Sequence, residues 1–129
     1  MKYYTAKTIS GQNFQSVRNK VEESLQSEGF GILTEIDIKA TMKKKLDKDY
    51  LPHVILGACS PVYADKVLSI EPQISTMLPC NVTIRELKSG DIEVAAIDPQ
   101  AAMSVVGNDD LERHAAEVQE KLKMVVDSL

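Results

Sequence analysis

Two cysteines, Cys59 and Cys80, are the residues best suited to carry chemistry in this 129-residue chain. Cys59 stands just before Ser60-Pro61, which reads as a capping hydroxyl followed by proline at the first helical position. A helix N-terminus stabilises a thiolate and lowers its pKa. Cys80 follows Pro79 and opens a run with strand character. If the two strands are neighbours, the thiols approach each other as a redox pair, a nucleophile or part of a metal site. The competing reading is two small buried hydrophobes, because free cysteine is among the most buried residue types. A metal set would recruit His53, which strand alternation puts on the same face as Cys59, and Glu35 or Asp37 from a neighbouring strand. Zinc and copper sites use such donors. No Cys-Xaa-Xaa-Cys or His-Xaa-Xaa-Xaa-His spacing supports that set.

Glu35 and Asp37 are two apart in a strand-like run and so share a face. Paired carboxylates serve acid–base chemistry, but they also line the wet side of many sheets. Asn81, Arg85 and Glu93 are candidates for that same polar face, as a ligand floor or a dimer interface. The helix start at Ser60 can offer backbone N–H groups to an anion, whereas Asp98-Pro99 opens a helix with a repelling carboxylate. There is no phosphate-cradling glycine loop and no nucleophile elbow. Gly29-Phe30-Gly31 ends a helix and starts a strand, the wrong order for such a loop. His114 is expected on the solvent face of the last helix, so no hydrolase triad is complete. No catalytic residue, metal ligand set or cofactor is assigned.

The elements that must position these residues follow from periodicity. Residues 2–9 are β-branched and aromatic and read as a strand. Phe14, Val17, Val21 and Leu25 form a helical stripe, with Asn13 as cap and Gly29 as stop. Residues 31–38 alternate, with Ile32, Thr34, Ile36 and Ile38 on one face and Leu33, Glu35 and Asp37 on the other. A short helix over 39–46, a strand over 53–59 and a helix from Pro61 to about Ile70 come next. Residues 72–79 connect, bounded by prolines. Residues 80–87 and 92–97 read as strands joined by a turn at Lys88-Ser89-Gly90-Asp91. A short helix opens at Asp98-Pro99, and Gly107 ends it by Val105. The last helix starts near Asp109, with Leu111, Ala115, Val118, Leu122 and Val125 as its stripe.

Composition bounds the function. Hydrophobic residues are 43% and charged residues 26%, ordinary for a folded protein and against disorder. The net charge of −4 argues against gripping nucleic acid. Charge is uneven: residues 1–64 carry nine basic against seven acidic residues, and residues 65–129 carry six against twelve. The local excess at Lys39, Lys43, Lys44, Lys45 and Lys48 reads as a solvated helix face. No apolar stretch approaches the roughly 20 residues that span a bilayer. With no secretory signal at the N-terminus, two reduced thiols and a cytoplasmic location are expected.

Four blocks then look familiar: GFGILTEIDIKATMKKKL (29–46), ILGACSP (55–61), LPCNVTIRE (78–86) and AAIDP (95–99). Together, and in that order, they resemble the family called domain of unknown function 302 over residues 8–102. In that family the second block more often reads Gly-Ala-Cys-Asn-Pro; here Ser60 replaces the asparagine. The resemblance implies a compact two-layer α+β fold and a homodimer.

The expectation is therefore one domain over residues 1–129, of α+β class, with a mixed sheet of about five strands and helices mainly on one face. Its element order is β-α-β-α-β-α-β-β-α-α. The expected function is a homodimeric binding or regulatory module for a small ligand or protein partner, without nucleic acid or membrane. The expected ligand site is Glu35, Cys59, Ser60, Cys80 and Asn81. The alternative is a thiol-dependent redox or metal-binding protein centred on Cys59 and Cys80.

Overall fold

The computed structural model describes residues 2–129. Strand β1 (Tyr4–Ile9) leads to helix α1 (Phe14–Ser27), then to strand β2 (Gly31–Asp37) and helix α2 (Ile38–Leu46). Strand β3 (His53–Cys59) is followed by helix α3 (Pro61–Ile70) and a 3-10 turn at Pro72–Met77. The hairpin β4 (Cys80–Glu86) and β5 (Ile92–Ile97) leads to the short helix α4 (Pro99–Met103), a 3-10 turn at Ser104–Val106, and the terminal helix α5 (Asp109–Asp127). The class is α+β, with one five-stranded sheet in the order β1-β5-β4-β3-β2.

Every neighbouring pair in that sheet is antiparallel, so the expected mixed sheet is corrected. Helices between strands suggest parallel crossovers, but here two of them are excursions. Helix α2 buries none of its residues and returns the chain beside β2. Helix α3 and its 3-10 turn do the same between β3 and β4. The long crossover is α1, which carries the chain from one edge strand, β1, to the other, β2. Those two edges run parallel but never touch.

Helices α1 and α5 cover one face because their stripes are apolar. Val17, Val21 and Leu25 of α1 are fully buried. Leu111, Ala115, Leu122, Val125 and Val126 of α5 are buried too. The α1 residues and Val118, Leu122, Val125 and Val126 of α5 meet Val54, Leu56, Ala58, Val82, Ile84, Ile92, Val94 and Ala96, which alternation sends to the same side. Asn13 caps α1 by accepting from the Ser16 N–H at 2.8 Å. Gly29, at φ 84°, ends it, and the Phe30 N–H donates to the Leu25 carbonyl at 2.9 Å. Phe30 is thereby turned into the core. A second, smaller cluster gathers Val67, Ile74, Met103, Leu111 and Ala115 beneath α3 and α4. Asn108, one residue before the expected start, caps α5 by accepting from the Leu111 N–H. Among the described residues no helix is long and apolar enough to cross a membrane.

Candidate functional site

Strand β2 does not keep the simple alternation expected of it. Its register to β3 shifts between Ile32 and Thr34, a bulge at Leu33. Ile32 lies opposite Ala58, and Glu35 and Asp37 lie opposite Leu56 and Val54. These three therefore share the helix-covered side, while Thr34 and Ile36 turn to the open side. Thr34 and Ile36 were expected to follow Ile32; the one extra residue reverses them.

The five expected site residues fall in three separate places, and the bulge decides where Glu35 goes. Glu35 accepts from Arg18 of α1, which also bridges Glu22 on its own helix. Glu35, with Glu22 beside it, raises Arg18 above its ordinary pKa. Arg18 and Glu35 sit in a hollow with Phe14, Asp37, Lys39 and His53. Asn81 is elsewhere, on the open face, in a groove of about 360 Å³ with Tyr4, Thr83, Arg85 and Glu93. Arg85 donates to Glu93 across the hairpin at 2.8 Å. The expected shared face of Glu35, Asp37, Asn81, Arg85 and Glu93 is thus corrected: the first two lie on the opposite side of the sheet from the other three.

Cys59, Ser60 and Cys80 do come together. Ala58 pairs with Cys80 across β3 and β4, which leaves Cys59 one step out of register beside it. Both thiols and Ser60 line one cavity of about 30 Å³. Its other walls are apolar and come from both core clusters: Phe30, Ala58 and Val118 from the larger, Val67, Met103 and Ala115 from the smaller. The cavity lies on the seam between them. Cys80 is buried, and burial, with Cys59 nearby as the lesser cause, pushes its thiol up to about 11. That opposes the thiolate expected of a nucleophile or redox centre at neutral pH. Cys59 is half-buried at the end of β3, and both cysteines are free. The Ser60 hydroxyl makes no capping bond; its backbone carbonyl accepts from the Ala64 N–H at 2.9 Å. Asp98, in contrast, caps α4 by accepting from the Ala101 N–H at 3.1 Å.

A metal set of Cys59, His53 and a carboxylate does not assemble. His53 and Cys59 are the two ends of β3, about 20 Å apart at the rise of a strand. Burial first, and the charge of Arg85 second, hold His53 below its ordinary pKa. Among the described residues no group of three His, Cys, Asp or Glu converges. His114, expected in solvent, is part-buried, and its Nδ1 is sealed without a hydrogen-bond partner. Met103, which periodicity marked as nothing but a residue of a short helix, was missed. Its signal was its sulfur, placed four residues after the Asp98-Pro99 cap.

The open face was also missed as a unit. Ile36, Ile55, Thr83, Ala95 and Ala6 lie in register, one on each strand, and make an uncharged belt across the whole sheet. The residue pairs that compose it are visible only once the strand order is known.

Comparison with known proteins adds the family. The crystal structure of an uncharacterized conserved protein DUF302 from Bacillus stearothermophilus superposes with a TM-score of 0.91 over 98% of each chain, at 24% identity. That likeness shows the fold. No curated protein matches the chain. The model of the family described as domain of unknown function DUF302 matches residues 5–129, beyond the four blocks and through α5. The chain belongs to the DUF302 family.

Proposed function

We propose that this chain is a single-domain homodimeric binding module, in which a second copy covers the open sheet face and the Cys59–Cys80 cavity takes a small guest. The observation that carries the dimer is the uncharged belt of Ile36, Ile55, Thr83, Ala95 and Ala6. No helix packs on that side among the described residues. Beside the belt, Arg85 and Glu93 balance each other, so the face carries no net charge from this pair and can meet itself without like-charge repulsion. Five strands at their usual spacing make a face roughly 24 Å by 20 Å. Two such faces enclose on the order of 1000 Å², the lower end for a specific interface.

The guest is small. A cavity of about 30 Å³ is an order of magnitude below the roughly 300 Å³ at which pockets for drug-sized ligands begin. The redox half of the competing thiol-dependent reading is opposed by Cys80, whose thiol burial pushes up to about 11.

Sedimentation at micromolar concentration tests the dimer. The wild type should run at twice the mass of the chain. Thr83→Lys, on the middle strand β4, puts two like charges near the two-fold axis and should run as a folded monomer with unchanged circular dichroism. A monomeric wild type refutes the dimer.

A further inference from the structure

Three sulfur-bearing residues line the cavity between the core clusters: Cys59 from the end of β3, Cys80 from the start of β4, and Met103 from the end of α4. The pairing of Ala58 with Cys80 places the two cysteine backbones diagonally across adjacent strands. With ordinary strand spacing and rise, their Cα atoms are about 6 Å apart. Met103 is buried at 4% exposure and has no solvent role to explain its placement. Ser60 contributes the only aliphatic hydroxyl, and the lining holds no histidine, carboxylate, lysine or arginine.

That donor set selects among guests by softness. Calcium and magnesium need six or more oxygen ligands. Structural zinc sites are closed by four Cys, His or carboxylate ligands, and the lining offers two. Thiolates and thioethers select Cu(I), a soft monovalent cation. The volume of about 30 Å³ fits a single ion bound directly to side chains and excludes an organic ligand.

We propose that Cys59, Cys80 and Met103 form a soft-cation site that holds one Cu(I) ion in the cavity. This deepens the binding-module reading by naming the guest. On binding, each ligating thiol forms a sulfur–copper bond and releases its proton to solvent; copper enters and remains as Cu(I), and no electron is transferred. Two thiolates and one cation leave a net charge of −1, which the thioether of Met103 does not change.

The test is anaerobic competition between the full chain and a chromophoric Cu(I) chelator. The wild type should remove one equivalent of Cu(I) and release protons. Losing a ligand should weaken binding at least as much as losing an outer-shell partner, so Cys59→Ser and Cys80→Ser should each lose on the order of a hundredfold in affinity or more. Met103→Leu keeps the volume, and it should bind Cu(I) about tenfold more weakly while retaining its urea midpoint. Should Cys80→Ser fail to fold, X-ray absorption on the wild-type complex decides, with a shell of sulfur alone expected. No Cu(I) uptake, uptake unchanged in Cys59→Ser, or a copper shell containing nitrogen or oxygen overturns the site. Sedimentation of the same samples separates the two proposals. A dimer that ignores Cu(I) overturns this site alone, and a monomer that binds it overturns the dimer alone.

Discussion

Gly57 lies in β3 between Thr34 of β2 and Asn81 of β4, two residues before Cys59. A Cβ added there would stand 2.2 Å from the Thr34 Oγ1 and 2.7 Å from the Pro79 Cγ. Both distances are shorter than any real contact, so something must move in Gly57→Ala. The exposed Thr34 side chain can rotate about χ1. The Pro79 ring has no such freedom, and its neighbour Cys80 is held in register against Ala58. Overpacking of this kind costs about 1–3 kcal/mol. Alanine gives back about 0.4–1 kcal/mol by restricting the unfolded chain. The net loss is about 1–2 kcal/mol. A 129-residue chain has an unfolding entropy of about 0.27 kcal/mol/K, so the melting temperature should fall by about 4–7 °C. Urea unfolding and calorimetry of wild type and variant measure it. In a Thr34→Ala background the loss from Gly57→Ala should shrink but persist, because Pro79 remains. An unchanged midpoint in the single variant, or full recovery with Thr34→Ala, refutes the close approach of Pro79.

Two further outcomes follow from the titrating groups. Folded Cys80 holds its proton up to about 11, while the unfolded thiol releases it near 9.0. The unfolded state therefore binds fewer protons in that window, and the stability from this group, full below pH 9.0, is lost as pH rises toward 11. The loss should reach on the order of 2–3 kcal/mol relative to Cys80→Ala in paired urea titrations, and equal slopes for the two proteins would contradict it. His53 should titrate below 6.5 by NMR, and Arg85→Gln should move it upward only part of the way, because burial is the larger cause. Its folded pKa lies below the unfolded one, so stability drops as pH falls below 6.5, and Arg85→Gln should soften that drop. A His53 titration identical in the two proteins would remove Arg85 as a cause.

Much of the fold is local and was legible from residue order. The stripes Val17-Val21-Leu25 and Leu111-Ala115-Val118-Leu122 announce α1 and α5, since three-and-four spacing can bury only one side of a helix. Asn13 and Gly29 mark the ends of α1, and Asp98-Pro99 the start of α4, through backbone preferences that operate within a few residues. The four sequence blocks point to the family that the match over residues 5–129 establishes. That Cys59, Ser60 and Cys80 line one cavity follows from consecutive strands, which often pair.

Strand direction, by contrast, depends on where the intervening helices pack. Residues 38–46 form a helix whether it covers the sheet or stands off its end, and only the second arrangement returns β3 antiparallel to β2. The side taken by Glu35 depends on one bulge at Leu33, and a period of two cannot register an inserted residue until the partner strand is in place. The belt from Ile36 to Ala6 needs four strand registers at once. Met103 joins Cys59 and Cys80 only because two separately formed apolar clusters meet along a seam. Periodicity records which side of its own element a residue faces; what lies opposite is set by how those elements exclude water together, and that is decided over the whole chain.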